Sequence, residues 1–323
     1  MTIAVRRVRA RRGAAGGWHP EPMPCPAGPA AEGGLRLAGR EFPRGRTVVM
    51  AVINRTPDSF FAGARQLEDD VAFAAVDEAV AAGADVLDVG GVKAGPGDDV
   101  SPQQEVDRVV GFLSAVRERH PGVVLSVDTW RAEVAEHACL AGAGLVNDTW
   151  AGHDPDLVQV AARHGAGYVV SHTGGLRPRT RPSRATYGST PEGVVDDVVA
   201  TLRAGAARAV AAGVDPRSVL LDPTHDFGKN TWHSLALVRR TDAVVALGFP
   251  VLVALSRKDF LGETLDLPPE ELLEGSLAAS AVAAWLGARV FRCHDARATR
   301  RALDVVEAVR GDLVPPRALR GLA

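Results

Sequence analysis

The chain has 323 residues with 37 basic and 39 acidic side chains, and its net charge of −2 lacks the basic face a general nucleic-acid binder needs. Hydrophobic residues make up 46% and charged residues 24%, a soluble globular profile, and no apolar run approaches the roughly 18 residues that span a bilayer. Cys25, Cys139 and Cys293 are far apart and form no CxxC pair, which argues against a disulfide framework or structural zinc site and for a reducing cytoplasm.

Charge is uneven along the chain. Residues 1–46 carry nine Arg and three acids, beginning with Arg6, Arg7, Arg9, Arg11 and Arg12, and Gly, Ala and Pro follow instead of the apolar stretch of a secretory signal. Residues 1–40 are therefore expected to form a poorly ordered, solvated tail, and residues 46–323 the folded domain.

From residue 46 one kind of unit recurs: a short β-branched apolar run, a polar end, then an Ala-rich amphipathic stretch. The predicted strands are 47–53, 85–89, 123–127, 144–146, 168–170, 218–221, 251–255 and 289–291. Continuous apolar runs of this length suit strands buried on both faces of a parallel sheet. Helical spacing is expected over 69–82, 102–119, 191–212 and 269–286, and Pro102, Pro155, Pro191 and Pro268 stand at or near helix starts. Gly83, Gly142, Gly165, Gly213, Gly248 and Gly287 fall where left-handed caps would lead into the next strand. Eight such units predict a (β/α)8 barrel. The competing open doubly wound sheet would call for a Gly-rich phosphate turn after the first strand, and neither GxGxxG nor GxxxxGK[ST] occurs.

Barrel active sites form where the strands end. Those ends read Asn54 to Phe60, Asp88 to Gly91, Asp128-Thr129, Asn147-Asp148, His172 to Gly175, Asp222-Pro223, Ser256 to Lys258 and Arg292 to Asp295, all capable of hydrogen bonding. The chain holds three Lys (Lys93, Lys229, Lys258) against 34 Arg, and three Asn (Asn54, Asn147, Asn230); all six lie in these loops. An ammonium kept in an Arg-rich chain suggests a need for its point charge, although Lys229 and Asn230 read equally well as structural. Lys258, Arg292 and His294 put cationic donors after the seventh and eighth strands, where barrels commonly hold phosphate. Asp128 and Asp222 suit a flat ring with adjacent N–H donors, while Asp148 and Asp295 read as helix caps.

From about Thr47 onward the chain resembles dihydropteroate synthase. The resemblance rests on Asn54-x-Thr56-Pro57-Asp58-Ser59-Phe60, Asp88-x-Gly90-Gly91, Asp128-Thr129, Asn147-Asp148, Asp222-Pro223 with Phe227-Gly228-Lys229, Ser256-Arg257-Lys258 and Arg292-x-His294-Asp295, in the family's order. It implies a (β/α)8 barrel, usually dimeric, that condenses 6-hydroxymethyl-7,8-dihydropterin diphosphate with 4-aminobenzoate; 7,8-dihydropteroate forms and magnesium diphosphate leaves. By the same resemblance Asp128, Asn147, Asp222 and Lys258 would hold the pterin, Arg292 and His294 the diphosphate, and Asn54 the Mg2+ side. Asp58 and Phe60 would lie on a first loop covering the aminobenzoate, with Asp58 and Lys258 as catalytic candidates.

The departures are as specific. After Gly90-Gly91 the family has Glu-Ser-Thr-Arg-Pro-Gly, but here the run is Val92-Lys93-Ala94-Gly95-Pro96-Gly97. The Thr and Arg that close the site are absent, and Lys93 offers a charge from another position without a planar fork. Ser171 replaces the Met beside the pterin, Ala254 a Gly, and the fifth loop carries Arg177, Arg179, Arg181 and Arg184. This pattern resembles a second, divergent type of homologue. Three readings stand: a synthase with impaired turnover, a pterin-binding homologue with an accessory role, and a pterin-dependent methyltransferase. The last has no use for Arg292 and His294.

Overall fold

A computed structural model of the chain describes residues 11–12, 18–19, 34–56, 62–180, 186–188 and 192–317. Eight parallel strands carry the fold: β1 Val48–Asn54, β2 Val86–Gly90, β3 Val124–Asp128, β4 Leu145–Asn147, β5 Gly167–Ser171, β6 Val219–Asp222, β7 Leu252–Ala254 and β8 Val290–Cys293. Each pairs with its sequence neighbour, β8 pairs with β1, and a parallel bridge from Leu221 to Val251 joins β6 to β7. Sequential order with closure defines the expected barrel, since a doubly wound sheet reverses its strand order at a switch point.

The helices are α1 Ala62–Ala81, α2 Pro102–Arg119, α3 Ala132–Leu140, α4 Leu157–Arg163, α5 Gly193–Ala211, α6 Thr231–Arg239, α7 Thr241–Val245, α8 Asp259–Leu265, α9 Leu273–Trp285 and α10 Ala296–Arg310. A capping box (Ser101 with Gln104, Pro102 in the first turn) starts α2 at the residue the sequence predicts. Gly83, Gly142, Gly165, Gly213, Gly248 and Gly287 all have positive φ, as left-handed exits from helices require.

The strands alternate inside the barrel. Outward residues such as Val49, Leu87, Leu125, Val146, Val170, Leu221, Val253 and Phe291 form one core with the helices. Inward residues near the strand starts (Val48, Met50, Val86, Val124, Leu145, Val169, Leu220, Leu252, Val290) form a second. Further along six of the eight strands the interior turns polar: Asp88 and Ser126, then Asp128, Asn147, Ser171, Asp222 and Arg292, while Val52 and Ala254 keep the first and seventh apolar at this level. Hydrophobic filling thus stops halfway up, and the site begins there.

The lower core has a floor that corrects the expected domain limits. Leu35–Leu37 and Arg40–Phe42 form an antiparallel hairpin whose Leu35, Leu37 and Phe42 are buried against the strand starts. Ala38 at its tip lies so close to β4 that a Cβ on Gly144 would come within 2.5 Å of its own. Residues 35–40, assigned to the tail, therefore belong to the barrel. Arg11–Arg12 pairs with Trp18–His19; the rest of the tail lies outside the described residues.

Candidate active site

Asp88 is the hub of the polar interior. Its fully buried carboxylate accepts from Ser126 Oγ at 2.6 Å, Asn147 Nδ2 at 3.0 Å and Arg292 Nε at 2.6 Å. Arg292 Nη2 donates to Asp128 at 2.7 Å, and Thr149 Oγ1 donates to the other Asp128 oxygen at 3.0 Å. Burial opposes the Arg292 charge, but Asp88 and Asp128 outweigh it and hold the guanidinium above its ordinary value. Burial, eased by Arg292 and aggravated by Asp88, pushes the Asp128 carboxyl up to about 7.

Around this pair stand groups with unused capacity. Asn147 Oδ1 is buried and receives no hydrogen bond. Asp222 accepts from the Thr224 amide at 2.7 Å, and its burial raises its pKa. Lys258 forms the N-cap of α8 without a side-chain cap bond, and its Nζ lies 4.7 Å from the Phe227 ring centroid. Burial lowers its pKa, with Asp226 and Asp222 opposing that shift. Phe227 in turn meets Trp150 edge-on at 5.3 Å. Carboxylates, an amide oxygen without a donor, an ammonium and an aromatic face thus stand at neighbouring strand ends.

The structure thus brings Asp128, Asn147, Asp222, Lys258 and Arg292 to one mouth. His294 is exposed at the rim beside them, its backbone amide on Ser256 Oγ at 3.3 Å. Arg292, expected to face a diphosphate, gives its Nε to Asp88 and its Nη2 to Asp128. The Asp295 cap is corrected, because its carboxylate pairs with Arg257 at 3.2 and 3.1 Å instead of with helix amides. Asp148 accepts from the amides of Trp150 and Gly152 and from Tyr168 Oη, so it organises the fourth loop. Lys229 is structural: its buried Nζ donates to the carbonyls of His172, Thr224 and Phe227 at 2.8, 3.0 and 2.8 Å. Lys93 is exposed on the second loop. Asp58 and Phe60 lie outside the described residues.

Sequence reasoning missed the weight of Asp88 and Ser126. A charged residue in the middle of an apolar strand, one strand away from a serine, was the available signal. It also missed Thr224 and Asp226, which hold positive φ of 52° and 69° around His225, an imidazole fully buried with both nitrogens unpartnered. Burial keeps that imidazole neutral by lowering its pKa to about 3.

For the implied magnesium, Asn54 at the end of β1 offers one neutral amide oxygen and is exposed. Among the described residues no group of three or more His, Cys, Asp or Glu could hold a metal ion. Mg2+ fills most of its octahedral shell with water and substrate phosphate oxygens, so Asn54 would serve as a single protein ligand to an ion carried by a diphosphate.

The fold and site define a pterin-binding barrel. Residues 50–294 match the pterin binding enzyme family, and the chain belongs to that family. A Mycobacterium leprae protein named inactive dihydropteroate synthase 2 is 55% identical over 89% of this chain and 99% of its own length. The Bacillus subtilis dihydropteroate synthase is 36% identical over 82% of this chain and 89% of its own length. The solved dihydropteroate synthase of Thermus thermophilus in complex with 6HMPPP is 40% identical with a TM-score of 0.72, covering 85% of this chain and 99% of that one.

Proposed function

We propose that this chain is a pterin-binding homologue of dihydropteroate synthase with little or no turnover toward 4-aminobenzoate. The observation that carries this reading is the second loop, Val92–Gly97, which contributes neither guanidinium nor hydroxyl while the ring pocket behind it keeps its donors and acceptors. The greater likeness to a protein named inactive than to named synthases points the same way.

The chemistry explains why the loop decides. Breaking the carbon–diphosphate bond develops negative charge on the leaving group and positive charge on the pterin methylene. Asp128 and Asp222 would stabilise the second. The first needs cations free to meet it, and Arg292 is engaged below by Asp88 and Asp128, leaving His294 and Lys258. Mg2+ would arrive with the diphosphate and meet Asn54 at the end of the first strand. Ring recognition by Asp128, Asn147, Asp222 and Lys258 needs none of this.

Impaired synthase activity is the competing reading, favoured by the retention of Lys258, Arg292 and His294. Calorimetric titration with the pterin diphosphate and with 4-aminobenzoate, beside an assay for dihydropteroate, separates the two. Pterin binding without product is expected; ordinary synthase turnover would overturn the proposal. Ala94→Thr with Gly95→Arg should raise turnover more than pterin affinity, and a Cβ at Gly95 meets nothing within 4 Å.

The expected homodimer would use the neighbouring helices α9 and α10, where Val282, Trp285, Val305 and Val309 are exposed. Val309→Glu should then shift the species seen in sedimentation from dimer to monomer. No helix among the described residues is long and apolar enough to cross a membrane.

A further inference from the structure

The second loop is not free. Arg179, on the loop after β5, donates from Nε to the Gly95 carbonyl at 3.4 Å and from Nη1 to the Asp98 carbonyl. The contact joins segments 81 and 84 residues apart in sequence. In the barrel β2 and β5 are separated by β3 and β4, so the bond bridges the rim where Asp128 and Asn147 end their strands.

Three features show that both loops are built to make it. Arg179 holds a φ of 61°, a left-handed backbone that a non-glycine residue adopts only where its surroundings impose it. Gly97 leaves room for the guanidinium, because a Cβ there would lie 2.8 Å from Arg179 Nη2. The fifth loop itself is anchored to the sixth: Lys229 Nζ donates to the His172 carbonyl, and Tyr187 Oη donates to the Gly228 carbonyl at 2.7 Å. Gly228 packs so tightly that a Cβ would meet the Thr173 carbonyl oxygen at 2.3 Å.

We propose that Arg179 is the positioning residue of the second loop. It replaces, from the opposite side of the rim, the order that this loop's own sequence cannot supply, and it sets how fast a pterin enters and leaves the mouth. The part concerning pterin rests on the function proposed above. Because Arg179 touches backbone carbonyls and not the ring pocket, its loss should change rates more than affinity.

Lys93 provides the probe. It is exposed on this loop, whereas the other two lysines, Lys229 and Lys258, are buried and half-buried, so a lysine-specific protease reads the loop in the full ligand-free chain. Arg179→Ala should speed cleavage after Lys93 by about tenfold, since loss of the tie raises the population of opened loop. Gly97→Ala should do the same while keeping the guanidinium, and Arg179→Gln, which keeps an N–H donor without adding a cleavage site, should fall between. Stopped-flow mixing with 6-hydroxymethylpterin, followed by its fluorescence, should show association and dissociation accelerated together with little change in Kd. Unchanged cleavage in both Arg179→Ala and Gly97→Ala would overturn the proposal, as would faster cleavage with unchanged pterin rates. If the unmodified chain binds no pterin, the functional reading fails and the cleavage rates alone decide for or against the tie.

Discussion

At the scale of single residues, the site is governed by one guanidinium shared between two carboxylates. Arg292→Ala would leave the buried Asp88 and the half-buried Asp128 without their counter-charge, and breaking a buried pair by removing one partner typically costs about 3–5 kcal/mol. Denaturant unfolding should show a loss of that size, and the ring-only pterin should suffer as well as its diphosphate. This differs from the expectation that Arg292 serves the diphosphate alone. Asp128 makes the second residue-level prediction. With its pKa near 7 in the folded chain against 3.8 for a free carboxyl, it is partly protonated at neutral pH. Its contribution to stability is therefore largest at low pH and declines as pH rises from 3.8 through 7. A ring presenting N–H donors favours the ionised form, so binding should release protons below about pH 7 and affinity should rise with pH up to that point. Calorimetry in buffers of differing ionisation enthalpy reads the proton release directly; Asp128→Asn should abolish it.

At the scale of elements, two attachments decide whether the barrel holds. The hairpin at Leu35–Phe42 closes the floor, and Leu37 is fully buried among the strand starts. Leu37→Ala should cost about 2–5 kcal/mol, measured by the shift in unfolding midpoint, because a cavity opens where eight strands converge. The last helix is fixed by an ionic cluster. Glu307 accepts from the Thr47 amide at 2.9 Å and from Arg300 at 2.6 Å, while Arg300 also donates to the Thr47 carbonyl at 2.8 Å. Burial would raise the Glu307 carboxyl, but hydrogen bonds from Thr47 and the charges of Arg300 and Arg46 prevail and lower it. A depressed carboxyl contributes stability above its unfolded value of 4.5 and loses it as pH falls through the folded value. Acid unfolding should consequently be less steep in Glu307→Gln, which is already destabilised at neutral pH.

Across the whole molecule, the division is between an apolar lower barrel that carries the fold and a polar upper barrel that carries the chemistry. Most strands supply both within a few residues, so chemistry can vary at the strand ends without disturbing the apolar core below. The divergence of this chain lies largely in loops: the second, with Ala94 and Gly95, and the fifth, with its arginines. The second has a partner in the fifth, through Arg179. The strands beneath depart from the family's pattern at Ser171 and Ala254.

Much of this was legible in the sequence. The eight strands lie within one or two residues of the apolar runs that predict them, because burial on both faces of a parallel strand leaves a continuous hydrophobic signature. Six punctuating glycines fall at positive φ for an equally local reason: only a residue without a Cβ leaves a helix through that conformation at little cost. Asp128, Asn147, Asp222 and Lys258 share a mouth because strand ends in a closed barrel must. Tertiary structure alone decided which partner a long side chain takes. Arg292 and Arg179 each reach residues more than 80 positions away, and Leu35–Phe42 became a floor only because eight strand starts left an apolar hole beneath them. Sequence periodicity records the environment of each residue's own backbone; the choice among distant acceptors depends on where the closed barrel puts them.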